Sequence, residues 1–155
     1  MKRLLSLVAA PVLAATPFVL DHHEPSEAEV AVKAAVQDYV EAIYQAQPER
    51  MVRSLHPSLD KRGFYRAPDK AEYGKPTLMS YESLVDLAGW WNPNGERGDD
   101  LKYEIRVNSV MDQTASAWLS ADWGVDHMHL ENVDGSWKII QVLWQSHPAP
   151  QTDGE

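Results

Sequence analysis

The chain has 155 residues, 44% of them hydrophobic, enough for one domain with one sizeable core. It contains no cysteine, which excludes disulfides, thiol catalysis, thiolate metal sites and lipid anchoring through an N-terminal Cys. A formal net charge of −9 repels phosphate backbones and anionic headgroups at long range, so nucleic acid is not an expected partner.

The first residues read as an address. Met1-Lys2-Arg3 is positive, and Leu4 to Leu13 is an apolar run broken by Ser6 and Pro11. Val12-Leu13-Ala14 sets compact residues before a cleavage point, so residues 1–14 have the layout of a secretory signal peptide. Pro11, Thr16 and Pro17 spoil a spanning helix, and no stable membrane insertion is expected after processing. The expected location is periplasmic or secreted. Residues 15–25 read as a linker. Its Asp21-His22-His23-Glu24 run holds metal-ligating side chains, but neighbours on an extended chain point in opposite directions and do not converge on one ion. No metal and no other cofactor is expected.

The mature domain is expected over residues 26–147, with a flexible tail at 148–155. Ser26 is a helix cap with Glu27 and Glu29 in the favourable first turn. Val32, Val36, Tyr39, Val40 and Ile43 then recur at helical spacing, which predicts a long amphipathic helix over 26–46. Pro48 suits the first turn of a second, short helix that His56-Pro57 ends. A short strand is predicted near Gly63–Arg66, followed by a loop rich in charge. Ser80 caps a third helix with Leu84, Leu87, Ala88 and Trp91 on its buried stripe. Beyond the Asn92-Pro93-Asn94-Gly95 turn the period changes from that of a helix to that of a strand, with Tyr103, Ile105, Val107, Ser109 and Met111 on one face. Further strands are predicted at Ala115–Trp123, Gly124–Asn132 and Trp137–Gln145, the last two joined by an Asp134-Gly135 hairpin turn. This order predicts an α+β fold with three N-terminal helices packed on a curved antiparallel sheet.

Three short motifs sharpen that expectation. Leu55-His56-Pro57-Ser58-Leu59-Asp60-Lys61-Arg62 is similar to a segment "LHPxLxKR", Asp126-His127-Met128-His129-Leu130 to "DYLHL", and the run Asp134 to Trp144 to "DGxWKIVNVLW". Together with the order of elements, they resemble the NTF2-like superfamily and, within it, the branch called the putative lumazine-binding proteins. The resemblance covers about residues 28–147 and implies a cone-shaped domain with an internal pocket. His127 stands where the branch has Tyr, and Gln141 where it has Asn, so a site using those positions is altered here.

The last hairpin allows a reading of faces. With a regular two-residue turn at Asp134-Gly135, Leu130 faces Ile139, Met128 faces Gln141 and Asp126 faces Leu143. Asp126, Met128, Leu130, Ile139, Gln141 and Leu143 then form the inner side of the cone. His127, His129, Ile140, Val142 and Trp144 fall on the outer side, where His129 and Trp144 can meet a second copy of the chain. A bulged turn would change this pairing.

Asp126 is the sharpest candidate. A carboxylate among apolar groups has its charged form destabilised, which suits a general base, with His56 or Tyr39 as proton donor. The competing reading is a buried Asp126 satisfied by Lys61, Arg62 or backbone donors. Lys61 and Arg62 can instead clamp an anionic ligand, and Trp91 and Trp123 can stack on a flat ring, with Tyr39, Met128 and Gln141 lining the same space. Three functions follow: a ligand-binding or accessory protein with an unknown small molecule, an acid/base isomerase, dehydratase or cyclase using Asp126 and His56, or a homodimeric interaction module.

Overall fold

The computed structural model describes residues 24–97 and 102–149. The expected signal peptide 1–14 lies outside them, as do most of the linker 15–25 and of the tail 148–155.

Helix α1 spans Glu27–Tyr44. Ser26 Oγ accepts from the Glu29 N–H at 3.2 Å, and the Glu29 carboxylate accepts from the Ser26 N–H at 2.7 Å, a reciprocal capping box. Ala46 takes a left-handed conformation (φ 51°) and turns the chain into α2, Pro48–Ser54. The two helices are tied by Arg50 to Asp38 at 2.9 Å and to Glu41, and by Arg53 to Asp38 at 3.1 Å.

Strand β1, Leu55–Phe64, begins at the C-cap of α2, earlier than the predicted strand near Gly63. Its irregular pairing between Leu55 and Asp60 accommodates Pro57. Then come β2 (Thr77–Met79), α3 (Tyr81–Trp90), β3 (Glu104–Val110), β4 (Thr114–Ala121), β5 (Gly124–Val133) and β6 (Ser136–Gln145). The strands form one sheet in the order β2-β1-β6-β5-β4-β3.

Two expectations are corrected. The sheet is mixed, because β1 runs parallel to β6 while its other pairs are antiparallel, and α3 follows β2, so only α1 and α2 precede the sheet. Strand periodicity carries no direction, and a parallel partner distant in sequence leaves no local mark. The second correction concerns faces. Asp134 (φ 50°) and Gly135 (φ 84°) do form a two-residue turn flanked by the Val133–Ser136 pair, and Leu130 does face Ile139. But His129 then pairs with Gln141, so Ile140 is an extra residue in β6. This bulge moves every later residue of β6 to the other face. Asp126 faces Trp144, Met128 faces Val142 and His127 faces Leu143. Val142 and Trp144 turn inward, whereas Gln141 and Leu143 turn outward.

Helix α1 packs across the inner face of the sheet and against α2 and α3. Val32, Val36, Leu119, Met128, Leu130, Ile139 and Val142 are buried between them. Each such side chain stabilises the fold by roughly 1.5–3 kcal/mol before entropy is counted. Among the described residues no helix is long and apolar enough to cross a membrane.

Candidate functional site

One end of the sheet holds a buried polar cluster. Lys61 on β1 and Asp126 on β5 both point inward and are 5% and 0% exposed. Lys61 Nζ donates to Asp126 Oδ1 at 3.2 Å and to the Tyr39 hydroxyl. The indole N–H of Trp123 donates to Asp126 Oδ2 at 2.6 Å. Both carboxylate oxygens are thus engaged, one by the buried Lys61 and one by the half-buried Trp123, the arrangement that an internal charge requires. Burial, and then the charge and hydrogen bonding of Asp126, push the Tyr39 phenol well above its ordinary value. Tyr39 therefore stays protonated across the neutral range, able to donate a proton only to a strong base.

Above this cluster opens a pocket of about 700 Å³. Its walls include Trp90, Trp91, Trp123 and Trp144, with Leu84 and Met79 between them. Tyr44 stacks on Trp91 with ring centroids 5.6 Å apart, and Trp123 meets both rings edge-on at 5.5 and 5.7 Å. Interlocked rings of this kind hold each other's orientation. Lys61 forms part of the floor, and its Nζ lies 5.7 Å from the centre of the Trp144 ring. Arg66 and Arg97 also line the pocket, the latter with its guanidinium 4.0 Å from the centre of the Trp91 ring.

Trp144 reaches this position because it pairs with Gly63 on β1, and the indole occupies the space a side chain at residue 63 would need. Trp123 is carried on the turn between β4 and β5. That turn is held on one side by Tyr44, whose hydroxyl accepts from the Asp122 N–H at 2.9 Å and donates to the Lys102 carbonyl at 3.1 Å. On the other side His147 Nε2 donates to the Ala121 carbonyl at 2.7 Å. Burial pushes the Tyr44 phenol up to about 12.

Tyr39, Lys61, Trp123 and Asp126 come together in the cluster, and Lys61, Trp91, Trp123 and Trp144 share the pocket. The other predicted site residues lie elsewhere. His56 stands at the start of β1, where its Nδ1 accepts from the Ser58 N–H at 3.0 Å, and it does not line the pocket. Arg62 points out to solvent, and Met128 is a core residue under α1. Gln141 is exposed on the outer face, where its Oε1 lies 2.7 Å from Nδ1 of the exposed His129. Trp144 is on the inner face, so a dimer surface built around it loses its anchor. Arg66, Arg97, Tyr44 and Gly63 were not singled out from the sequence. Only Gly63 carried a readable signal, since a glycine inside a strand marks a close approach.

Residues 27–145 match the family described as "Putative lumazine-binding". No curated protein shows significant similarity to the chain. Among solved structures, an NTF2-like protein of unknown function from Shewanella baltica is 20% identical, with 87% of this chain and 100% of that one covered and a TM-score of 0.61. A second, from Silicibacter pomeroyi, is 18% identical over 76% of this chain and 94% of that one, with a TM-score of 0.59. A ketosteroid isomerase-like protein from Erwinia carotovora atroseptica is 14% identical over 77% and 96%, with a TM-score of 0.51. At such identities the likeness carries the α+β fold with its curved mixed sheet, and no chemistry.

Proposed function

The chain belongs to the Putative lumazine-binding family of NTF2-like domains, and from that premise we propose that it holds a small molecule in its ring-lined pocket as an exported binding or accessory protein. The observation that carries this reading is that Asp126, fully buried and bonded to Lys61 and Trp123, takes no part in the pocket lining, so its carboxylate does not meet a molecule held there. The pocket itself is concave and mostly apolar with a few fixed polar groups, the usual make-up of a ligand site.

Native mass spectrometry of the chain purified from its producing cells tests the proposal. A small molecule retained by the wild type and lost from Trp123→Ala is expected. Turnover of any retained molecule that disappears in Asp126→Asn would overturn the binding reading in favour of an acid/base isomerase, dehydratase or cyclase.

Export rests on the secretory pattern of residues 1–14, and cell fractionation checks it: a chain that keeps its first residues in the cytoplasm would sink that part. A homodimer, if formed through the outer sheet, would cover His127, His129 and Leu143. Light scattering that gives the mass of a single chain would dismiss it.

A further inference from the structure

Two buried side-chain nitrogen or oxygen atoms among the described residues have no hydrogen-bond partner, Arg66 Nε and Trp144 Nε1. Both belong to residues that line the pocket. Both are N–H donors, and neither can accept. A buried donor without an acceptor is costly, and native folds keep few of them.

Neither group is free to turn away. Arg66 Nη1 donates to the Lys70 carbonyl and Nη2 to the His147 carbonyl, each at 2.9 Å, so the guanidinium is pinned and Nε–H is its buried donor without a partner. Trp144 is held over Gly63. The two residues also sit on one wall. Gly63 pairs with Trp144 and Phe64 with Gln145, and the Arg66 N–H donates to Ser146 Oγ at 3.1 Å.

The charge of the lining points the same way. Lys61 is balanced by Asp126 beneath it, which leaves Arg66 and Arg97 against Asp122, a net positive lining in a chain whose net charge is −9. A cationic concavity in an acidic protein concentrates anions against the general field. The tryptophan rings supply flat apolar faces beside it.

We infer that the pocket takes a planar organic anion whose oxygens accept from Arg66 Nε–H and Trp144 Nε1–H while its ring lies among Trp91, Trp123 and Trp144. This inference rests on the proposed binding function and names the class of ligand for it. The acceptor-rich end is a carboxylate or an anionic oxygen of comparable geometry, since an arginine N–H bonds such groups more strongly than neutral ones.

The test compares three probes of the same ring by isothermal titration calorimetry: 2-naphthoate, naphthalene and 2-naphthylmethylammonium. The naphthoate is expected to bind at least about tenfold more tightly than naphthalene, and the ammonium more weakly than either. Arg66→Gln and Trp144→Phe are each expected to narrow the naphthoate-to-naphthalene ratio. Trp144→Phe removes the N–H together with part of the ring system, but the naphthoate-to-naphthalene ratio cancels the ring contact both probes lose, so its result stands even if Arg66→Gln loosens its loop. Equal binding of naphthoate and naphthalene to the wild type, or a ratio unmoved in both variants, overturns the inference and leaves the binding function intact. Binding of none of the three overturns the pocket as a ligand site, and the inference with it.

Discussion

The indole of Trp144 lies so close over Gly63 that a Cβ built on the glycine would stand 2.2 Å from Trp144 Cδ1. Alanine in a strand is ordinarily preferred to glycine, so the contact reverses the sign expected from local preference. Gly63→Ala is expected to destabilise the fold by about 1–3 kcal/mol through overpacking and to shift the tryptophan emission. In a Trp144→Ala background the same substitution should cost much less, because the clash is gone. Denaturant unfolding of the four proteins measures this, and equal costs in the two backgrounds would remove the contact as the cause.

Removing either member of the Lys61–Asp126 pair leaves the other charged and buried. Asp126→Asn and Lys61→Met are each expected to lose about 3–5 kcal/mol. The double variant Lys61→Met with Asp126→Leu should be more stable than either single change, since no unpaired charge remains. Urea unfolding gives the order; a double variant that is the least stable of the three would contradict it.

The stability that the neutral phenols contribute depends on pH with a definite sign. Burial raises Tyr44 from 10.0 to about 12, and burial followed by the Glu41 hydrogen bond and charge raises Tyr103 from 10.0 to about 12. Tyr39 is raised as well. A folded-state value above the unfolded one means that this stability is complete below pH 10 and is lost as the pH rises toward about 12. Unfolding midpoints across this window should fall, and Tyr44→Phe should fall less steeply. A Tyr44→Phe profile parallel to that of the wild type would refute the assignment.

Gln141→Ala and His129→Ala alter the outer face only. Both are expected to leave 2-naphthoate affinity unchanged and stability within about 0.5 kcal/mol. Trp144→Ala, three residues beyond Gln141 but inward-facing, should lose most of the binding. Calorimetric titration of the three variants distinguishes the faces; a loss confined to Gln141→Ala would restore the regular hairpin register.

The signals readable in the chain were local ones. Ser26 with Glu29 and the Val32–Val36–Tyr39–Val40–Ile43 stripe mark α1 without help from the rest of the fold, and Asp134-Gly135 marks its turn by backbone preference alone. The bulge at Ile140 left no comparable trace. Ile139, Ile140, Val142, Leu143 and Trp144 place apolar residues at both parities of the strand, so alternation could not say which face was inner. The parallel β1–β6 pair joins segments too distant for any local pattern, and it decides both the Gly63–Trp144 contact and the wall shared by Arg66. Asp126 stood out as a carboxylate in apolar company, with Lys61 among the partners weighed for it. Its second partner, the indole of Trp123, depends on how the β4–β5 turn folds back. Arg66 and Arg97 sit in loops rich in charge, where no period distinguishes a pocket residue from a solvated one.

The turn that carries Trp123 is gripped from opposite parts of the chain, by a hydroxyl at the end of the first helix and by an imidazole just past the last strand. The pocket wall is therefore mechanically in series with the segment after Gln145. A tether or fusion joined immediately behind His147 would pull on the turn that carries Trp123, so under the proposed binding function a tension-bearing attachment there acts as a handle on affinity. A reporter meant to be silent is better joined ahead of Ser26, where the nearest contacts are those of a self-contained helix cap.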